Sequence, residues 1–408
     1  MENTHSSTHP LSKRTHADIA MSELDENKTQ LDSLSQELSS LDIGNVESKI
    51  NVDNDTQNDI EKTFTVKTEQ TGTGTSQPQT VSISDAYEWG KIDSFNDCVL
   101  HIKNCKNIII VTGAGISTSV GIPDFRSSGG LYDTIRQRFP NMSDPTDFFN
   151  IRYFSKEPKP FYEMASEIWP DKFEPSFTHK FMARLGREGR LKRNYTQNID
   201  TLEQTAGISD DKVVQCHGSF SKATCRDCKA TFDGSEIKDR IMRKEIPICG
   251  RQLKLGGGSR LSACNGIIKP DIVFFGEGLP NTFFEALQED GDSDVDNVDL
   301  ILVIGSTMKV SPVNMVPSSI DNKSMHDIPT ILINCESVRI PDVTPKMKLL
   351  GYGDKILKEI EFRMDNSGET ELKEVEKTAL KKSDLKNIEN VFYRNDEHEY
   401  RFEGWRDD

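Results

Sequence analysis

The chain has no long uncharged apolar stretch and no apolar N-terminal segment of the secretory kind, so neither a membrane span nor a leader peptide is expected. Basic residues are in deficit: 50 Lys and Arg stand against 66 Asp and Glu, a formal net charge of −16. Nonspecific nucleic-acid affinity comes from clustered cations, so direct nucleic-acid binding is not expected. A basic protein segment would instead be attracted by such a field. The first residues are not acid-poor, as a mitochondrial presequence would be, since they include Glu2, Asp18, Glu23, Asp25 and Glu26. Aromatic and apolar residues are scarce over 1–80, which is rich in Ser, Thr, Asn, Asp and Glu. That region cannot bury enough apolar surface to offset the entropy of ordering, and disorder is expected. Leu31, Leu34, Leu38 and Leu41 have helical spacing within it, although a coil with incidental leucines accounts for them as well.

What the chain does have begins at 81–364, where apolar strand-like runs alternate with helical stretches. This predicts an α/β domain with a Rossmann-like parallel sheet. A smaller cysteine-bearing module, about 222–266, and a helical insertion, about 131–172, interrupt it. A charged linker is expected over 365–386. Residues 387–408 read as a β-hairpin: Tyr400 and Phe402 alternate with charged residues, and Val391 and Tyr393 mirror them across a polar turn. An isolated hairpin is marginal in water, so docking on a sheet edge is expected.

The most informative segment is Gly113–Ser127, GAGISTSVGIPDFRS, which follows the β-branched run Ile108–Val111. Such a run suits a parallel strand buried on both faces. Gly113 and Gly115 at its end would let the backbone turn against a pyrophosphate, with their amides holding phosphate oxygens. Thr118 stands where the usual dinucleotide fingerprint has its third glycine, so this pair alone is equally compatible with a plain turn. The continuation combines a stiff Ile122-Pro123 corner, the carboxylate of Asp124, the ring of Phe125 and the guanidinium of Arg126, a set that few purely structural loops need. Two further segments, Tyr195–Asp200 and Val213–Gly218, look like strand ends opening into loops, where the ligand crevice of a parallel sheet lies. His217 would titrate near neutral pH and could take a proton without a large pKa shift; an isolated histidine of this kind would ordinarily be structural.

Together, GAGIS, GIPDFRS, TQNID and the His217-Gly218 pair resemble the signature segments of the sirtuins, NAD-dependent protein deacylases, and are most similar to the nuclear class I branch. The resemblance covers almost all of 81–364. It implies that NAD, consumed as a co-substrate, is held by Gly113, Ala114, Gly115, Ser117, Asp124, Phe125, Arg126, Tyr132, Gln197, Asn198, Ile199, Asp200, Gly305, Ser306, Thr307, Asn334, Cys335, Glu336 and Gly353. His217 would be the general base, and Asn198 a second catalytic residue. Val273, Phe274, Gly276 and Glu277 would receive acylated lysine, with the peptide adding as an extra strand. The chain departs from the family at Cys335, where arginine is common, and at Gly353, where cysteine is frequent; altered NAD affinity is expected. Ala165 occupies the position where acid-accepting relatives carry arginine, so an uncharged acyl group, acetyl first, is implied. In the implied reaction the acetyl oxygen displaces nicotinamide from the ribose carbon. A ribose hydroxyl deprotonated by His217 then takes up the acyl group, giving free lysine and acetylated ADP-ribose.

Eight cysteines are present, and Cys225, Cys228, Cys249 and Cys264 share one polar, glycine-rich stretch. Cys225-x-x-Cys228 has the spacing of a zinc knuckle. Gln252 stands where a second such pair would have its cysteine, and the residues up to Cys264 read as an insertion between the third and fourth ligands of one structural zinc. A three-cysteine or metal-free module is the alternative. The remaining four cysteines have no secretory context to suggest pairing, which points to a reducing compartment. The class I resemblance implies the nucleus, with the cytoplasm as the other reducing location, and acetylated protein substrates such as histone tails, reached through recruiting partners. An ordinary NAD oxidoreductase or an inactive silencing scaffold would share parts of the pattern. The former does not need TQNID or the cysteine module, and the latter does not need Asn198, Asp200 and His217 together.

Overall fold

The computed structural model describes residues 46–47, 65–66, 90–254, 261–291, 298–322, 324, 327–366, 393–395 and 399–406. Met1–Glu88 and Trp89–Asp408 are separate units. In the first, Val46–Glu47 pairs antiparallel with Thr65–Val66. The rest of 1–80, including the leucines from Leu31 to Leu41, lies outside the described residues, as do Leu255–Arg260, nearly all of the 365–386 linker and 387–392.

In the second unit the strands are β1 (Ile108–Thr112), β2 (Leu191–Thr196), β3 (Val213–Gln215), β4 (Gly218–Cys225), β5 (Thr231–Asp233), β6 (Gln252–Lys254), β7 (Leu261–Ala263), β8 (Ile268–Ile272), β9 (Leu300–Ile304), β10 (Thr330–Asn334), β11 (Met347–Leu350), β12 (Tyr393–Asn395) and β13 (Glu399–Arg401). The helices used below are α1 (Phe95–Asn104), α2 (Leu131–Arg138), α3 (Ile151–Lys156), α4 (Lys159–Ala165), α5 (Phe177–Arg187), α6 (Leu202–Thr205), α7 (Gly234–Met242), α8 (Asn281–Asp290), α9 (Val316–Asp321) and α10 (Gly353–Asp365).

The main sheet has eight strands in the order β12-β13-β11-β10-β9-β1-β2-β3. Every pairing in it is parallel except β12 with β13. Its central strands are apolar because both faces are covered. Side chains alternate between the faces: Ile108, Ile110, Leu300, Leu302 and Ile304 join one core with α1, α5 and α10. Ile109, Val111, Ile301 and Val303 join the other with α8 and α9. Short hydroxyl caps start two of the covering helices. Ser94 and Asp97 form a reciprocal capping box on α1, and Ser176 with His179 does the same on α5.

A second lobe is built on the antiparallel sheet β8-β4-β5. The helices α2, α3 and α4 share one core with the cysteine-bearing strands and α7, with Trp169 against Phe220 at 4.8 Å between ring centroids and the Tyr162 hydroxyl donating to the Ile268 carbonyl at 2.8 Å. A ring cluster of Phe149, Phe154, Phe161 and Phe274 fills its centre. One strand in from the far edge of the main sheet, β13 lies parallel to β11, and Tyr400 on it and Phe402 just after it pack onto Phe95 of α1, with centroids 5.9 and 5.6 Å apart.

Candidate functional site

Strand β1 lies between β2 and β9; the chain runs from β1 to β2 on one side and from β9 to β10 on the other, so the loops after β1 and β9 diverge and open a crevice at the carboxyl end of the sheet. A cavity of about 610 Å³ occupies this crevice and continues under the second lobe. Its wall includes Gly113, Ala114, Gly115, Asp124, Phe125, Arg126, Tyr132, Gln197, Asn198, Ile199, His217, Gly305, Ser306, Thr307, Asn334, Cys335 and Glu336, together with Val273, Phe274, Gly276 and Glu277. Segments distant in sequence thus converge on one space.

The two glycines of the first loop are required by a close approach of backbones. A Cβ on Gly113 would stand 2.8 Å from the Gly305 carbonyl oxygen, and one on Gly115 would stand 2.7 Å from the Gly305 Cα. Their N–H groups donate to the carbonyls of Ile304 (3.1 Å) and Gly305 (2.8 Å). The expectation that these two amides hold phosphate is therefore corrected: they bind the β9 loop. Asp124 organises its own loop, its Oδ1 accepting from the N–H groups of Arg126 (2.9 Å) and Ser127 (2.7 Å). That turn places Phe125 between Tyr132 and Phe149, both at 5.9 Å, and the Arg126 guanidinium 5.8 Å from the Tyr132 ring centre.

Beyond β2, Gln197 donates from Nε2 to Ser306 Oγ at 2.8 Å. The buried Asn198 amide lies 3.3 Å from the Gly113 carbonyl and 3.4 Å from Ser117 Oγ. Ser117 in turn donates to Asp200 at 2.7 Å. Ser117 and Asp200 therefore stand behind the wall rather than in it, supporting Asn198 from below. Gly353 is the first residue of α10, with Thr178 and Ile304 nearest to where its Cβ would stand, and it does not line this cavity.

His217, half-buried at the end of β3, places Nδ1 2.9 Å from the Gln197 carbonyl. A carbonyl can only accept, so Nδ1 carries the proton and Nε2 keeps its lone pair. Burial lowers the imidazole pKa below its ordinary value, and the Gln197 carbonyl opposes that in part. The ring is accordingly neutral at physiological pH. Its own carbonyl accepts from the Val273 N–H at 2.8 Å, which ties this histidine to the segment expected to receive substrate. In that segment Phe274 is packed among rings, with Lys269 4.2 Å from its centre. Glu277 accepts from Lys269 and from the Phe274 N–H, both at 2.9 Å. Glu277 is therefore held as a brace for the loop.

Below this lobe, Cys225, Cys228, Cys249 and Cys264 bring their sulfurs within 4.8 Å of one another. The Cys225–Cys264 and Cys228–Cys249 separations are 3.7 Å, matching the roughly 3.8 Å between thiolates in a tetrahedron with Zn–S of about 2.3 Å. These four could hold one metal ion. Gln252 is exposed on β6, and β6 pairs with β7 to return the chain to Cys264. Gly266 is needed here, since a Cβ would come within 2.7 Å of the Cys225 sulfur.

Sequence reasoning assigned no site role to Thr118, Ser127, Ser128, Phe149, Ile272, Phe275, Leu279, Lys309, Val310, Ser311 or Arg406, which also line the cavity. Lys309–Ser311 could have been reached by following the chain after β9 a few residues beyond Thr307; Arg406 carries no local signal.

The model of the Sir2 family matches residues 113–312. The chain is 46% identical over 275 residues to the NAD-dependent protein deacetylase sir-2.1 of Caenorhabditis briggsae, covering 67% of this chain and 42% of the relative. It is 42% identical over 261 residues to the NAD-dependent histone deacetylase SIR2 of Candida albicans, covering 64% and 48%. The chain thus spans less than half the length of these curated relatives. A solved structure described under "Structural Basis for the Mechanism and Regulation of Sir2 Enzymes" superposes with a TM-score of 0.55 at 31% identity, over 67% of this chain and 99% of that one.

Proposed function

The chain belongs to the Sir2 family, and from that premise we propose that it is an NAD-dependent protein lysine deacetylase. The observation that carries the reading is the placement of a neutral His217, with Nε2 unengaged by the Gln197 carbonyl, on a cavity that the glycine loop and the Val273–Glu277 segment both line. NAD supplies the ribose carbon that accepts the acyl oxygen and the hydroxyl that later takes up the acyl group. The chain's own residues prepare that exchange. His217 removes the hydroxyl proton at Nε2, and Asn198, buttressed by Ser117 and Asp200, orients the ribose. Phe125 covers the reacting carbon against water. Val273 and Phe274 flank the acyl-lysine, and the peptide backbone adds beside them. The four-cysteine cluster would hold one structural zinc, which would cross-link the second lobe.

Acetylated histone tails are the favoured substrates, because a formal charge of −16 attracts basic segments and the Candida relative bears a histone deacetylase name. Both features support a nuclear role, in transcriptional silencing. Among the described residues no helix is long and apolar enough to cross a membrane. The test is to incubate an acetylated histone-tail peptide with the protein, with and without NAD. Release of nicotinamide that requires both peptide and NAD supports the reading; reduction of NAD, or peptide binding with no turnover, overturns it in favour of an oxidoreductase or an inactive scaffold.

A further inference from the structure

One cavity residue arrives from outside the segments that carry the chemistry. Arg406 lies beyond β13, yet it lines the same space as the glycine loop. Its path is closely specified. The Phe402 N–H donates to the Leu350 carbonyl at 2.6 Å, and the Tyr352 N–H donates to the Glu403 carbonyl at 2.8 Å. Gly404 then turns with φ +89°, packed so tightly on Tyr352 that an added Cβ would stand 2.5 Å from the ring. Past that turn the Arg406 N–H donates to the Cys335 carbonyl at 2.7 Å. This fixes the Arg406 backbone at the carboxyl end of β10, and its Nη1 reaches 3.4 Å from Ser127 Oγ in the Asp124 loop. The guanidinium is exposed and open to a ligand.

A pyrophosphate brought into this crevice needs donors, and the N–H groups of Gly113 and Gly115 are already spent on the β9 loop. Arg126 is drawn toward the Tyr132 ring. We propose that Arg406 is a phosphate-binding residue of the cavity, delivered by the C-terminal strand, so that the dinucleotide site is complete only when β13 is docked. The Cys335 backbone carbonyl is the anchor that holds this arginine at the end of β10. This inference rests on the dinucleotide reading above.

Calorimetric titration of the full chain with ADP-ribose, using adenosine as the uncharged control, tests it. Arg406→Gln should weaken ADP-ribose binding about tenfold, as loss of a charge-assisted phosphate contact would. Arg406→Lys should restore part of the loss, and adenosine affinity and melting temperature should stay at wild-type values. Gly404→Ala should weaken ADP-ribose binding in the same direction by displacing an intact Arg406. ADP-ribose affinity within twofold of wild type in Arg406→Gln, or an equal loss for adenosine, overturns the assignment. Failure of the wild-type protein to bind ADP-ribose at all would instead overturn the dinucleotide reading, and this inference with it.

Discussion

His217 is held by a single backbone acceptor, and its chemistry follows from that contact and from burial. His217→Ala should lower turnover by about 10²–10⁴-fold, the usual worth of a positioned base, with an unchanged melting temperature; a variant that keeps more than a tenth of wild-type rate would remove the assignment. Because burial lowers the imidazole pKa, the base stays unprotonated below the ordinary histidine range. The acid limb of kcat/KM, which reports the free enzyme, should therefore fall below about 6.5. A buried carboxyl has the opposite sign. Glu203, enclosed next to Asp200, is pushed up by burial and by its acidic neighbour, so its proton is favoured in the folded state. Stability should decline as pH rises from the ordinary carboxylate range toward neutrality, and Glu203→Gln should flatten that decline in thermal melts from pH 5 to 8. At this scale the sequence was only partly legible. His217 and Asn198 could be located because each closes a strand, whereas the glycines were misread: their tightness comes from Gly305, 190 or more positions away, and no local pattern reveals a partner loop.

The elements were easier to read than their pairings. Continuous β-branched runs such as Ile108–Val111 and Leu300–Ile304 mark strands buried on both faces, because each successive side chain serves a different core. What periodicity could not supply was the partner of each strand, above all that β13 adds in parallel beside β11, or that Arg406 meets Ser127 across 279 residues. Tyr400 and Phe402 pack on α1, and the Tyr400 hydroxyl accepts from the Phe95 N–H at 3.2 Å. Tyr400→Ala should cost about 3 kcal/mol, as large aromatic truncations do, and should lower activity along with stability; a melting temperature equal to wild type would mean that the strand does not support the sheet. In the second lobe, Cys264→Ser should release one zinc per chain and loosen the β8-β4-β5 sheet, while Gln252→Ala should retain the metal. Elemental analysis of both variants decides between four ligands and three.

Across the whole molecule, an acidic chain carries a crevice between a parallel sheet and a small cysteine-bearing lobe. Attraction between separated charges is screened within about 8–10 Å at ordinary ionic strength. KM for a basic acetylated peptide should therefore rise with added salt, while KM for a neutral peptide of the same length should change little; parallel salt dependence would remove the electrostatic argument for histone tails. The central claim is that the acyl group passes from lysine to the ribose of NAD under the control of His217. It is tested most directly by mass spectrometry of the products from acetylated peptide, NAD and the wild-type protein. The account predicts deacetylated peptide, nicotinamide and acetylated ADP-ribose in equal amounts; free acetate formed from the outset with intact NAD would contradict it.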